Sequence, residues 1–421
     1  MPKALGALAI VTAALLVFAR TAHYGLFSDD FNWLVGAQMF DAHGLFDLSY
    51  RTHFFRPVVE LYFPAAMAAC GRSAECYHWL NIGLHAGTGL LVGALAGSIS
   101  RNSIVGVLAG VLFVGMPGPV EAVAWVACVP EVLAALWFVA TVWLFRRAVA
   151  SGERWSYGAA ALCFVACLLT HESGVTLLPI LAFSIWLVPP EGVRQIDSRT
   201  VRLLAPLAVI LMVYLVVEYI INSRNYLVKE GQYALGEHML SNALTALATF
   251  AVTPHSLLWL TILGILAIWA VLGAPPRIKF YALWTLVALA PVVGFRGGLT
   301  SRYLYLPAVG FAALTAELLW SARSFVGGRP SRAGIAVWWV VVVALTVRFA
   351  SFAMKNATVW QTASVPFLDY AARVRQLYPA PARGVTLEVP PPPEEVLPQY
   401  LPSLLQWEFG DPTLRPVVRD R

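Results

Sequence analysis

Apolar residues run continuously for roughly 15 to 22 positions at a time, separated by short polar turns, along most of the 421-residue chain. A helix needs that length to cross a bilayer. The runs are rich in Leu, Ala and Val and do not alternate in polarity, which argues against a β-barrel. Hydropathy predicts about eleven spans, at 4–19, 78–98, 103–116, 131–145, 156–170, 175–188, 203–221, 256–273, 280–294, 304–321 and 333–350. Stretches 57–69 and 239–253 read as re-entrant or interfacial helices, and either is a candidate twelfth span. The first polar segment, about 20–77, is long, and Phe31, Trp33, Leu34, Ala37 and Phe40 recur in it at helical spacing, as in an amphipathic helix on a membrane surface. The fold class is therefore an all-α polytopic membrane bundle whose long first outer loop carries amphipathic helices.

Composition agrees. Hydrophobic residues make up 59% of the chain and charged residues only 12%, against about a quarter charged in a soluble domain. The net charge of +6 is not a nucleic-acid signal, because the basic residues sit in short loops between spans. With the N-terminus in the cytoplasm, the loops on that side hold Lys3, Arg101, Arg146, Arg147, Arg154, Arg194, Arg199, Arg202, Arg277, Lys279, Arg323, Arg329 and Arg332. The turns at 117–130 and 171–174 hold no Lys or Arg. This is the positive-inside pattern. It predicts a multi-pass protein of the inner (plasma) membrane with its C-terminus extracytoplasmic. The first run reads as a retained span, since Arg20-Thr21-Ala22-His23 makes a poor cleavage site. Residues 1–350 form the membrane domain, and 351–421 a tail that is Pro-rich from Pro379 to Pro416. The tail reads as a linker with a small module, or as a strap on the outer face. Cys70 and Cys76 share an outer loop where an oxidising compartment permits a bridge, but two unpaired thiols are the plainer expectation.

This topology gathers the chemistry-bearing motifs on the outer side. Asp29 and Asp30 stand at the edge of an apolar protein, where charge is costly. As a pair they suit proton abstraction from a hydroxyl; alternatively, Ser28 or Asp29 caps the helix that follows. Arg302 and Arg296, then Arg56 and His171, are the candidates for holding a lipid phosphate, with Tyr303 at the interface beside them. His171 and Glu172 equally suit a structural pair. Glu121 and Glu131 suit holding sugar hydroxyls or orienting Arg302. His78, Asn81 and His85 share a helix face and read as hydrogen-bonding partners between helices. No metal-ligand spacing is present. No cofactor is expected, and a divalent cation is not required.

Several motifs also fall in a recognisable order: the acidic pair after the first span; Arg56-Pro57; Tyr77-His78 with Asn81; Pro117 through Val120-Glu121-Ala122-Val123-Ala124-Trp125; the stretch around His171-Glu172-Ser173; and Ser301-Arg302-Tyr303-Leu304-Tyr305-Leu306-Pro307. Over roughly residues 20–365 the chain resembles the GT-C glycosyltransferase superfamily. It most resembles the protein O-mannosyltransferase branch, with its transmembrane and tetratricopeptide-repeat O-mannosyltransferases and their bacterial relatives. The resemblance implies a GT-C-like bundle and an enzyme taking a sugar from a polyprenyl-phosphate donor. Transfer is then to a hydroxyl of a protein or glycan acceptor, with inversion, on the extracytoplasmic face. It assigns the base to Asp29 and Asp30, and matches Glu121, His171-Glu172 and Arg302 to family positions. His171 stands where the family has lysine, and Ser301 where it has glutamate; no tetratricopeptide repeats follow. The competing reading is a non-catalytic membrane protein, either a transporter or flippase of a lipid-linked substrate or an inactive scaffold. Polar groups at the outer ends of the spans, rather than at the midplane, favour the enzyme.

Overall fold

The computed structural model describes residues 3–49, 54–193, 196–325 and 332–419. Arg194 and Arg329, counted above among the basic residues of one face, lie outside them.

The chain opens with α1 (Lys3–Phe18) and the surface helices α2 (Asp29–Gln38) and α3 (Pro57–Cys70). The hairpin α4 (Ala74–Ser100) and α5 (Ser103–Gly115) follows, then the short α6 (Val120–Ala124), α7 (Val129–Ser151), α8 (Arg154–Leu168), α9 (Leu177–Trp186) and α10 (Ser198–Asn222). Next come α11 (Tyr226–Lys229), α12 (His238–Ala251), α13 (Leu257–Leu272), α14 (Pro276–Leu289), α15 (Tyr305–Phe325) and α16 (Arg332–Ala363). The C-terminal part is α17 (Val365–Leu377), β1 (Thr386–Val389), α18 (Leu401–Phe409) and β2 (Arg415–Val418). The strands pair in parallel, Thr386 opposite Arg415, with α18 as the crossover.

Among the described residues, six segments are long and apolar enough to cross a membrane: Lys3–His23, Ala74–Ser100, Val126–Ser151, Ser198–Asn222, Ser301–Arg323 and Arg332–Leu377. Five shorter apolar helices accompany them, including Pro57–Cys70 and Leu257–Leu272. Large apolar side chains face outward where lipid would lie, such as Leu257 at 82% exposed and Leu272 at 73%. The chain is a helical membrane protein.

Close packing follows from small residues. Gly89, Gly93 and Gly97 recur every fourth position on α4 and face Gly106 and Gly110 of α5. A Cβ on Gly106 would sit 2.5 Å from the Gly93 carbonyl oxygen. This is the small-residue contact that lets membrane helices approach, and Ile10 of α1 seats against Gly89, Gly93 and Gly110.

A second core lies on one face of the bundle. Phe31 and Leu34 of α2, Val59 and Phe63 of α3, Phe367 and Tyr370 of α17, and Leu404, Leu405 and Trp407 of α18 are buried together. The last long helix thus continues past residue 350 to Ala363, and the Pro-rich part folds onto α2 and α3. The tail and α2 lie beyond the same end of α1, away from Lys3. Cys70 and Cys76 are bonded, with Cα atoms 5.4 Å apart, which corrects the expectation of two free thiols. Gly71 turns the chain at φ +55°, and Ser73 caps α4 by accepting from the Cys76 N–H at 3.3 Å. Together these bring Cys76 back over Cys70.

Candidate functional site

The site is assembled where the ends of α2, α3, α6, α7 and α15 meet the turn before α9. Its centre is Glu121, buried on α6. Glu121 Oε1 accepts from Arg302 Nη1 at 2.9 Å, and Oε2 accepts from the Arg302 backbone N–H at 3.0 Å and from Ser301 Oγ at 3.1 Å. Ser301 therefore donates a hydrogen bond to the carboxylate and adds no charge of its own. The Arg302 guanidinium also lies over Trp125 at 5.3 Å and Tyr303 at 5.0 Å, in cation–π contact.

Beside it is a second clamp. Arg56 donates from Nε to Glu172 Oε1 at 2.9 Å and from Nη2 to Oε2 at 2.7 Å. This bidentate fork joins residues far apart in sequence. Burial opposes the Arg56 charge, but Glu172 more than restores it, so the guanidinium stays protonated. His171 and Glu131 lie between the clamps: His171 Nε2 is 3.8 Å from Glu131 Oε1 and 3.6 Å from Glu172 Oε2. Glu131 Oε1 is 3.9 Å from Arg302 Nε. Burial, with help from the Arg56 charge, lowers the His171 pKa to about 4, so the imidazole is neutral at pH 7. Its Nδ1 pairs with Ser173 Oγ at 2.9 Å. Three glutamates thus face two arginines here, and Glu131, His171, Ser173, Arg302 and Tyr303 line a narrow crevice among them.

The two aspartates part company. Asp30 is fully buried. Its Oδ2 accepts from the Phe27 N–H at 2.9 Å and its Oδ1 from the Ala127 N–H at 2.6 Å. It ties the start of α2 to the turn before α7. Burial raises its pKa to about 8 against the pull of these two bonds. Asp30 is thus a brace between two backbone segments, each of its oxygens accepting from one N–H, whereas Asp29 makes no bond to the backbone among the described hydrogen bonds. Asp29 is half-exposed. Burial raises its pKa as well, opposed by Asn32 Nδ2, which donates to it at 3.3 Å, and by the charge of Arg302. The alternative that Ser28 or Asp29 caps α2 fails: Ser28 is the N-cap residue but makes no capping hydrogen bond. It sits instead at φ +53°, ψ −124°, a backbone region suited to glycine.

Arg296 does not join the cluster. It is exposed, and its backbone N–H pairs with Gln232 O at 2.9 Å. Its segment builds a side wall, in which Tyr233 packs on Phe295 at 4.0 Å and Phe295 stacks on Tyr303 at 5.3 Å. Asn81 donates to Trp125 O at 3.2 Å. His85 bridges to Tyr305 Oη at 2.7 Å and Val114 O at 3.2 Å. Sequence reading missed a polar stripe on α10. Tyr214 and Glu218 are buried there, Glu218 accepts from Asn222 Nδ2 at 2.7 Å, and Glu218 lies near enough to Glu172 for their charges to interact. The four-residue spacing of Tyr214, Glu218 and Asn222 was the available signal, lost in an apolar average. Among the described residues, no group of three His, Cys, Asp or Glu side chains is placed to hold a metal ion.

No protein-family model and no curated protein sequence matches the chain. Solved structures do. The Archaeoglobus fulgidus oligosaccharyltransferase, tethered to an acceptor peptide carrying the NVT sequon, superposes with TM-score 0.55 at 13% identity over 96% of this chain. This chain spans only 58% of that protein's length. AglB from the same organism, in complex with an inhibitory peptide and a dolichol-phosphate, gives TM-score 0.53 at 12% identity over 99% of this chain and 64% of its own. ArnT from Cupriavidus metallidurans, bound to undecaprenyl phosphate, gives TM-score 0.55 at 15% identity over 100% of this chain and 87% of its own. The chain thus has a GT-C-like membrane fold.

Proposed function

We propose that this protein is a membrane glycosyltransferase. In this reading it moves a sugar from a polyprenyl-phosphate donor to a hydroxyl of a protein or glycan acceptor, with inversion, on the extracytoplasmic face. The observation that carries the reading is the clustering of Arg302, Arg56 and His171 through Glu121, Glu131 and Glu172, with Asp29 close enough to Arg302 for their charges to interact. The neighbours support it: one is described with dolichol-phosphate and a peptide, another with undecaprenyl phosphate. The order of the acidic pair, Glu121, His171-Glu172 and Arg302 supports a place near the protein O-mannosyltransferase branch.

The mechanism follows from charge. A hydroxyl is a weak nucleophile until a positioned base takes its proton, an effect of roughly 100- to 10,000-fold. The half-exposed Asp29, in its carboxylate form, takes that proton as the hydroxyl oxygen attacks the anomeric carbon. The bond from that carbon to the phosphate oxygen breaks on the opposite face, which inverts the configuration. Negative charge then gathers on the departing lipid phosphate, where Arg302 and Arg56 meet it as preorganised donors. An arriving phosphate brings negative charge beside the neutral His171 and so favours its protonation. Glu121 and Glu172 hold the two arginines in place. The Cys70–Cys76 bridge supports an oxidising, extracytoplasmic location for this face.

The test of donor recognition is thermal stabilisation of the purified protein by polyprenyl phosphate. Stabilisation of the wild type and its loss in Arg302→Ala support the assignment. No stabilisation of the wild type, or equal stabilisation of both, contradicts it.

A further inference from the structure

At the opposite ends of the same helices lies a second group of charged residues. Asn81 of α4 reaches the site wall, whereas Ser100 is at the other end of α4, about 28 Å away at 1.5 Å per residue. Arg302 begins the segment that becomes α15, and Glu317 lies near its far end. Glu317 is only 4% exposed, and its one side-chain partner among the described residues is the Ser100 hydroxyl. Beside it is a cleft of about 500 Å³. Its lining includes Arg101 and Arg277, both exposed, with Ile99, Val188 and Ile278 as an apolar wall. Arg101 comes within 3.9 Å of the exposed Glu191. The buried Arg146 donates to Ser184 O at 2.5 Å and Val188 O at 2.6 Å, fixing one side of the cleft.

A buried carboxylate without a cationic partner is costly. Neither arginine of the cleft pairs with Glu317 within salt-bridge distance among the described residues. The arrangement is therefore a carboxylate set deep, two guanidiniums at the mouth and an apolar wall between spans. A simple anion satisfies the arginines but is repelled by Glu317; a simple cation does the reverse. A group with phosphate and ammonium two carbons apart satisfies both. The cleft lies at the level where spans end, so its occupant carries acyl chains alongside the apolar wall.

We propose that this cleft binds the headgroup of a phosphatidylethanolamine-type lipid, with the ammonium on Glu317 and the phosphodiester between Arg101 and Arg277. The site is distinct from the cluster around Arg302 and does not depend on the activity assigned to it.

Native mass spectrometry of the full chain, released from bilayers of equal phosphatidylethanolamine and phosphatidylglycerol, tests it. The wild type is expected to retain phosphatidylethanolamine roughly tenfold over phosphatidylglycerol, the scale of one charge-assisted hydrogen bond. Glu317→Gln abolishes that preference. Arg101→Ala combined with Arg277→Ala, at exposed positions that leave folding intact, lowers retention of both lipids. Excess free O-phosphoethanolamine leaves lipid retention unchanged. Equal retention of the two lipids by the wild type overturns the proposal. So does a preference that survives both variants, and displacement of the lipid by the free headgroup overturns the lipid assignment.

Discussion

Glu121 grips Arg302 at two points, the guanidinium through Oε1 and the backbone N–H through Oε2. The guanidinium is thereby fixed in direction as well as charge, which suits a group that must meet negative charge only as it develops. Glu121→Gln keeps the shape but weakens the grip, and Arg302→Lys keeps the charge but loses the fork. Both are expected to lower the turnover rate by roughly 100-fold or more, the scale of losing one preorganised donor. Initial rates of transfer at saturating donor measure this; unchanged rates in both variants remove Arg302 from leaving-group stabilisation.

The two aspartates have separable phenotypes. Asp30→Asn replaces one accepting oxygen with a donor facing a backbone N–H, and is expected to cost about 1–3 kcal/mol of stability. Asp29→Asn is expected to leave the melting temperature within error. Thermal denaturation of the two variants in the same detergent decides it, and the reverse pattern contradicts the roles assigned.

The pH dependence has a definite sign. The Asp30 pKa is raised to about 8 in the folded state, so between its ordinary value and 8 the folded chain holds a proton that the unfolded chain has released. The stabilising contribution is full at low pH and is lost as pH rises through this window. The His171 pKa is lowered to about 4, so its contribution is lost as pH falls from its ordinary value toward 4. The stability gap between wild type and Asp30→Asn should narrow as pH rises from 5 to 9 in a series of melting curves. His171→Gln should instead flatten the acid side.

Arg56 and Glu172 form a partly buried bidentate pair. Removing either partner leaves the other charge uncompensated, at about 3–5 kcal/mol. The double variant is expected to cost less than the sum of the singles, and a double-mutant cycle of unfolding free energies shows whether it does. Additive costs mean the pair is not coupled.

Ser28, next to Asp29, holds a backbone conformation that costs of order 1–3 kcal/mol for a residue with a Cβ. Ser28→Gly is expected to raise the melting temperature, because glycine adopts this region freely. A lower melting temperature means that the Ser28 side chain contributes more than its backbone costs.

Much of this was legible in the sequence. Hydropathy and the one-sided distribution of Lys and Arg place Asp29, Arg56, Glu121, His171 and Arg302 on one face, and the structure brings these residues together. Which aspartate faces the site was not legible, since one residue of helix turns a side chain by about 100° and the phase is set by the Ala127 contact. Arg296 and Arg302 look alike as arginines flanking a flexible turn, and only the distant Glu121 separates them. The Cys70–Cys76 bond depends on the φ of Gly71, which sequence spacing does not reveal. The tail reads as Pro-rich linker because its core partners, Phe31, Leu34 and Phe63, are hundreds of residues upstream.

The most direct test is transfer of labelled sugar from polyprenyl-phosphate donors by the reconstituted protein, comparing wild type with Asp29→Asn at matched melting temperature. The account predicts transfer by the wild type with inversion at the anomeric carbon, and a loss of roughly 100- to 10,000-fold in Asp29→Asn. Transfer that is equal in both proteins, or absent from the wild type across the donor series, contradicts it.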